Sequence, residues 1–196
     1  APEHPGCGAT PLPPWLRGIP DVVLHYHEFF RKMELTDIHL VGFSMGGWIA
    51  LRLARDLPER IAGLVGIAAA PDFTEDAMWA GFTETQRQTL IAEGRLELPS
   101  EYDDSPYVIT RRLIEDGRDQ LVLRDPLPLP FPVRLLHGSA DADVPVAVAL
   151  RLLEHAECPD LQLTLVKDAD HRFSAPDNLA AICAAIDEVT RRAADR

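Results

Sequence analysis

The chain has three cysteines in 196 residues, Cys7, Cys158 and Cys183. An odd, widely scattered set makes no disulfide framework, and no Cys-x-x-Cys pair suggests a thiolate metal site. The expectation is a reducing compartment, by default the cytoplasm. No apolar run approaches the roughly 20 residues that a membrane-spanning helix needs. The first residues, Ala1-Pro2-Glu3-His4-Pro5, have neither the basic start nor the apolar stretch of a secretory signal. Basic side chains are also in deficit, with 19 Lys and Arg against 31 Asp and Glu and a formal charge of −12. Nucleic acid and anionic membranes are therefore unfavourable partners. No segment repeats.

What is present has the composition of an ordinary globular chain, long enough for a single domain spanning 1–196 with a substantial core. Residues 1–18 are rich in Pro and Gly and carry no period, so a loop is expected. Val22, Val23, Tyr26, Phe29, Phe30 and Met33 fall on one face of a helix over 21–35, with Asp21 placed to cap it. A strand over 37–43, a helix over 46–56 stopped by Pro58, and a buried strand over 61–68 follow. Residues 71–130 interrupt this alternation. Thr83-Glu84-Thr85-Gln86 reads as a capping box opening a helix to about Glu93. Ser105-Pro106 reads as the start of another helix, ending before Gly117. Pro126, Pro128, Pro130 and Pro132 bring the chain back. A helical insertion between two core strands is read as a lid. A strand over 133–137, a helix over 145–156, a strand over 161–166 and a helix from about Asp177 to Arg192 complete the chain. Such alternation specifies a mostly parallel sheet with crossover helices, an α/β fold.

The chain is organised around Gly42-Phe43-Ser44-Met45-Gly46. This Gly-x-Ser-x-Gly sits between a predicted strand and a predicted helix, the context in which the motif carries meaning. A serine on so sharp a turn needs neighbours without bulk, which Gly42 and Gly46 supply. The turn lifts the Ser44 hydroxyl above the carboxyl edge of the sheet. The Met45 N–H, at the positive end of the following helix, then faces a developing oxyanion. Two later strands end in His137-Gly138-Ser139-Ala140-Asp141 and in Asp170-His171. In a parallel sheet all these ends share one edge.

These three stretches, with Val144-Pro145, resemble the α/β-hydrolase superfamily, in which serine, acid and histidine follow in this order. Residues 43–196 are most similar to the group of α/β-hydrolase domain-containing protein ten and its bacterial relatives, through Ser44-Met45-Gly46-Gly47-Trp48, Arg134-Leu135-Leu136-His137-Gly138 and Asp170-His171-Arg172. Residues 2–42 resemble the C–C bond hydrolase and epoxide hydrolase branch, through Pro2–Gly8 and Pro14-Trp15-Leu16. The resemblance implies Ser44 as nucleophile, His171 as its base and Asp141 as the orienting acid, with Asp143 the rival acid. It implies hydrolysis of carboxylic esters or thioesters through an acyl-enzyme, without metal or organic cofactor. Hydrolysis of C–C or peptide bonds by the same three residues is an alternative, as is a non-catalytic remnant acting as a binding module. Phe73, Met78, Trp79 and Phe82 are candidates for an acyl pocket, while His137 reads as a packed strand residue. The resemblance also implies a truncated fold. The family's early strands, and its loop supplying a second oxyanion N–H, have no counterpart here. Strand 37–43 would then be an exposed edge, and a dimer through that edge is expected.

Overall fold

The first helix shows how local chemistry adjusts the predicted boundaries. In the computed structural model, which describes residues 4–5, 9–99 and 106–195, α1 spans Ile19–Lys32 with Pro20 in its first turn. It starts earlier than the apolar spacing implies because Pro fits the first turn, where an N–H would be unpaired anyway. Asp21 is thus inside the helix, and its carboxylate accepts the Arg17 N–H at 2.8 Å instead of capping. Ile19, Val22, Val23 and Phe30 are buried, whereas Met33, at the far end of the predicted stripe, is exposed. Most of Pro2–Gly8, including Cys7, and Ser105 lie outside the described residues.

β1 (Ile38–Phe43), α2 (Met45–Asp56) and β2 (Ile61–Ile67) follow. The insertion carries α3 (Glu84–Glu93), β3 (Arg95–Leu98), β4 (Tyr107–Thr110), α4 (Arg111–Arg118) and β5 (Leu127–Pro128), and after it come β6 (Val133–Gly138), α5 (Val146–His155), β7 (Ala156–Glu157), β8 (Leu161–Val166) and α6 (Pro176–Ala194). The main sheet has the order β1-β2-β6-β8, and every pairing in it is parallel. β2 and β6 are central and buried almost throughout; β2 is accordingly a continuous apolar run, while β6 buries Arg134 and His137 among its apolar residues. β1 and β8 lie at the edges and largely alternate between half-buried and exposed residues. On one face, α1 and α2 pack Phe30, Trp48 and Leu51 against Leu64 and Leu135. On the other, α6 sets Ile182, Ile186 and Val189 against Val65, Ile67 and Leu136. Among the described residues, β1 pairs only with β2, leaving Val41 and Phe43 about half exposed. No helix among the described residues is long and apolar enough to cross a membrane.

The insertion has a small core of its own, formed by Phe82, Leu90, Leu96, Ile109 and Ile114. The capping box forms as the sequence indicates: the Thr83 hydroxyl accepts the Gln86 N–H, and the Gln86 side chain accepts the Thr83 N–H. The helix expected from Ser105-Pro106 does not start there. Tyr107–Thr110 is a strand paired antiparallel with Arg95–Leu98, and α4 begins only after Thr110, whose hydroxyl accepts the Leu113 N–H at 3.1 Å. Tyr-Val-Ile-Thr is aromatic and β-branched, and cross-strand packing of Ile109 on Leu96 outweighs the proline signal. Gly117 does not end α4 but lies within it. A Cβ there would stand 2.9 Å from the Thr74 Cβ, so the glycine allows α4 to pack against the turn of π-helix at Thr74–Trp79.

The neck of the insertion closes on one carboxylate. Asp72 is fully buried and accepts the N–H groups of Val122 at 2.7 Å and Leu123 at 3.0 Å, with the Arg124 guanidinium at 2.9 Å. Burial pushes its carboxyl above the usual range, against the pull of those backbone donors and Arg124. Arg124 and Arg151 converge on Asp76, one turn further along the chain.

Candidate active site

β1 ends at Phe43, and Ser44 turns the chain into α2 with φ 51° and ψ −122°. A positive φ is rare for a side chain with a Cβ and is held only where the surroundings enforce it. Here the Ser44 N–H donates to the Ile67 carbonyl at 2.9 Å, and the Ser44 carbonyl accepts from Gly47 and Ala70. Gly42 is required: a Cβ on it would meet the Gly46 carbonyl carbon and the Gly47 Cα at 2.7 Å. Gly46 is not crowded in this way, since a Cβ there would meet nothing within 4 Å. The second tight position is Gly47, whose absent side chain leaves room for Ala69, 2.6 Å from where a Cβ would sit. Met45 is the first residue of α2, so its N–H has no acceptor within the helix.

Asp141 sits on the loop after β6, with its carboxylate buried. Its Oδ1 accepts the N–H of Asp143 at 3.0 Å and of Val144 at 2.8 Å. Its Oδ2 is 2.9 Å from Nδ1 of His171, on the loop after β8. The His171 Nε2 is 3.1 Å from Ser44 Oγ. A carboxylate only accepts, so Nδ1 carries the imidazole proton and Nε2 presents its lone pair to the Ser44 hydroxyl. The Phe43 ring lies 5.0 Å from the His171 ring, centre to centre. The two loops are tied together: Ala140 N–H donates to the Ala169 carbonyl at 3.0 Å, and Asp168 N–H to Ser139 Oγ at 2.8 Å. The sequence-expected trio thus meets at one strand edge, although 127 residues separate Ser44 from His171. Asp143 lines the adjacent cavity, and it is Asp141 that meets Nδ1. Asp141, Asp143 and His171 offer atoms close enough to hold an ion. The hydrogen bonds occupying both Asp141 oxygens and the His171 Nδ1 account for that cluster without one.

A cavity of about 860 Å³ opens over Ser44 and His171. Phe73, Met78 and Phe82 line it, as the sequence suggests. Trp79 does not. It faces away, edge-on to Phe82, with the guanidinium groups of Arg118 and Arg87 over its ring at 4.8 and 5.4 Å. Met78 and Trp79 are adjacent on one turn of helix, so only one of them can face the cavity. Sequence reading missed Leu98, Tyr107 and Ile109 of the hairpin, Val144 on the loop before α5, and Val148 in its first turn. The alternation of Leu96 with Leu98 and of Tyr107 with Ile109 was the signal available, since each pair shares one face of the hairpin.

A parallel sheet with a serine on its strand-to-helix turn, and an acid and a histidine on later strand ends, defines an α/β architecture with its site at the carboxyl edge. The chain belongs to the Alpha/beta hydrolase family, whose model matches residues 1–182. Palmitoyl-protein thioesterase ABHD10, mitochondrial, of Mus musculus is 34% identical over 151 residues, covering 76% of this chain and 50% of that protein. The chain thus spans about half the length of the curated relatives it matches. A pimeloyl-[acyl-carrier protein] methyl ester esterase of Legionella pneumophila (strain Corby) is 36% identical over 86 residues, 42% of this chain and 31% of that protein. A protein from Agrobacterium vitis S4, described as a hydrolase, superposes with a TM-score of 0.88 at 37% identity, over 96% of this chain and 74% of that one. Mouse alpha/beta hydrolase domain-containing protein 10 superposes at 0.84 with 26% identity, over 96% and 76%.

Proposed function

We propose that the chain is a serine hydrolase of carboxylic esters or thioesters that works through an acyl-enzyme. The observation that carries this reading is the unbroken hydrogen-bond chain Asp141–His171–Ser44 on the floor of an apolar cavity. His171 Nε2 takes the Ser44 proton as Oγ bonds to the substrate carbonyl carbon, and the π-electron pair moves onto the carbonyl oxygen. The Met45 N–H donates to that oxyanion. Collapse of the adduct expels the alkoxide or thiolate, which takes the proton back from His171. A water, deprotonated by His171, then attacks the acyl carbon; the Oγ–acyl bond breaks, Ser44 Oγ takes that proton from His171, and the carboxylic acid leaves. Asp141 stays ionised, holds the imidazole tautomer and stabilises its cation.

The cavity walls favour an apolar acyl group. Its Phe73, Met78, Phe82, Leu98 and Ile109 lining supplies surface that each buried methylene exploits by about 0.8 kcal/mol. Segment 71–130 would then act as a lid over the acyl group. The names of the thioesterase and methyl ester esterase relatives agree with acyl transfer to water. The test is a fluorophosphonate probe followed by hydrolysis of p-nitrophenyl esters and acyl thioesters. Labelling at Ser44, with both label and turnover lost in Ser44→Ala, is the expected result. A folded chain that takes no label is a binding module instead.

A further inference from the structure

We infer that His137 is a positioning residue for the acid of this site, which rests on the reading of Asp141, His171 and Ser44 as the reacting set. His137 lies in β6 and is 1% exposed. Its Nε2 is 2.8 Å from the Val144 carbonyl oxygen. A carbonyl can only accept, so Nε2 carries a proton. The same Nε2 is 3.4 Å from Asp141 Oδ2, the oxygen that meets His171 Nδ1.

A closed circuit results. Val144 gives its N–H to Asp141 Oδ1, its carbonyl accepts the His137 N–H, and the same His137 Nε2 stands 3.4 Å from Asp141 Oδ2. Three N–H groups, those of Asp143, Val144 and His171, thus donate to one carboxylate that is 0% exposed, and His137 Nε2 packs against its Oδ2. The backbone donors hold Oδ1, so the carboxylate cannot swing. Beside Oδ2 the His137 N–H, donated to the Val144 carbonyl, adds the positive end of its dipole rather than a second hydrogen bond, an attraction favourable in surroundings without water. It shares the charge that would otherwise act on His171 alone, and it fixes the loop that sets the direction of Oδ2. Without it the Val144 carbonyl loses its buried partner, and the loop can turn to find another.

A histidine present only for packing predicts lost stability and nothing more. A positioning role predicts a kinetic and spectroscopic signature. His137→Leu should lower kcat by about ten- to a hundredfold with KM little changed, as a shift of under an ångström in the acid implies. His137→Gln, whose amide reaches the Nε2 position, should restore most of that loss, while the shorter His137→Asn should not. The low-field Nδ1–H resonance of His171 should move in the Leu and Asn variants and stay near its wild-type position in Gln. Wild-type turnover and an unmoved resonance in His137→Leu, whatever its melting temperature, would overturn the inference. So would Gln and Asn variants that behave alike, a comparison that stands even where the Leu variant fails to fold. Failure of the parent reading shows up separately, as wild-type protein unlabelled by fluorophosphonate. In that event nitrogen-15 spectra of the imidazoles still decide the geometry: an unprotonated His137 Nε2, or a His171 Nδ1 signal unmoved in His137→Leu, overturns the inference, and a signal that moves in Leu and returns in Gln upholds it.

Discussion

Gly138→Ala tests whether the site depends on two loops meeting without a side chain between them. Gly138 ends β6, three residues before Asp141. A Cβ on it would stand 2.7 Å from the Ala169 carbonyl carbon and 3.0 Å from the Asp170 oxygen, and nearer still to the Ala169 oxygen. All three are backbone atoms of the loop that carries His171, so no flexible side chain can give way. Carbon atoms in contact sit at about 3.5 Å, so the carbon contact alone requires the loops to part by about 0.8 Å, and the nearer oxygen requires no less. The Ala140 N–H bond to Ala169 and the Ser139 N–H bond to Val166 lie along that line. Overpacking of this kind costs about 1–3 kcal/mol. For a chain of this size the melting temperature should fall by roughly 2–12 °C. The separation also pulls His171 away from Asp141, and a misplacement near 1 Å costs about a hundredfold in rate. Calorimetry and steady-state ester hydrolysis on the folded variant measure both. A folded Gly138→Ala with kcat within about twofold of wild type would refute the reasoning. Gly46→Ala is the stability control, because its Cβ meets nothing within 4 Å.

Asp141→Asn should lower kcat by about 10⁴, since an amide at Oδ2 favours the wrong imidazole tautomer, whereas Asp143→Asn should change it far less; the reverse ranking would transfer the acid role to Asp143. The buried Arg134 binds Glu188 at 2.6 Å and Asp160 at 3.1 Å. The Arg134 hydrogen bond holds the Glu188 carboxyl below its usual range, and Arg192 with Arg134 does the same for Asp160. Folded values below the unfolded ones give stability that is present above about pH 4.5 and lost as pH falls through the folded values. Melting temperature in Glu188→Gln should therefore be lower at pH 7 and fall less steeply below about pH 4. Equal slopes in variant and wild type would contradict this. The outer edge of β1, with Val41 and Phe43 exposed, is expected to make the chain associate. Light scattering across dilution should show a mass that rises with concentration, and a monodisperse monomer throughout would refute self-association.

Elements near Ser44 were legible because their patterns come from burial. β2 is a continuous apolar run since both its faces are covered, β6 keeps enough of that character in Val133, Leu135 and Leu136 to be read as a strand, and α2 begins where the motif requires. Tyr107–Thr110 was not legible, because Pro106 is equally acceptable before a helix or a strand and the deciding contact, Ile109 on Leu96, is cross-strand. Trp79 was misplaced because a list of apolar residues carries no direction, and a single turn of π-helix decides which of two neighbours faces inward. Gly46 shows a motif explaining less than it suggests: the sequence pattern marks it, while the close packing falls on Gly42 and Gly47. The meeting of Asp141 with His171 could be anticipated from strand order, but the circuit through Val144 and His137 is set by loop geometry that no spacing reveals.

The Asp72 clasp has an evolutionary consequence. One carboxylate gathers backbone donors 50 residues away in sequence, so the stem of the segment between β2 and β6 is fastened independently of what the stem carries. Closing a longer or shorter segment above a fixed stem changes the chain entropy only slowly, by about 0.6 kcal/mol for each doubling of length. The hairpin and its neighbouring helices can thus be exchanged as a cassette while the sheet below keeps Ser44, Asp141 and His171 in register. Diversification on this scaffold would be concentrated above the clasp, and Asp72 itself would be among the last positions free to drift.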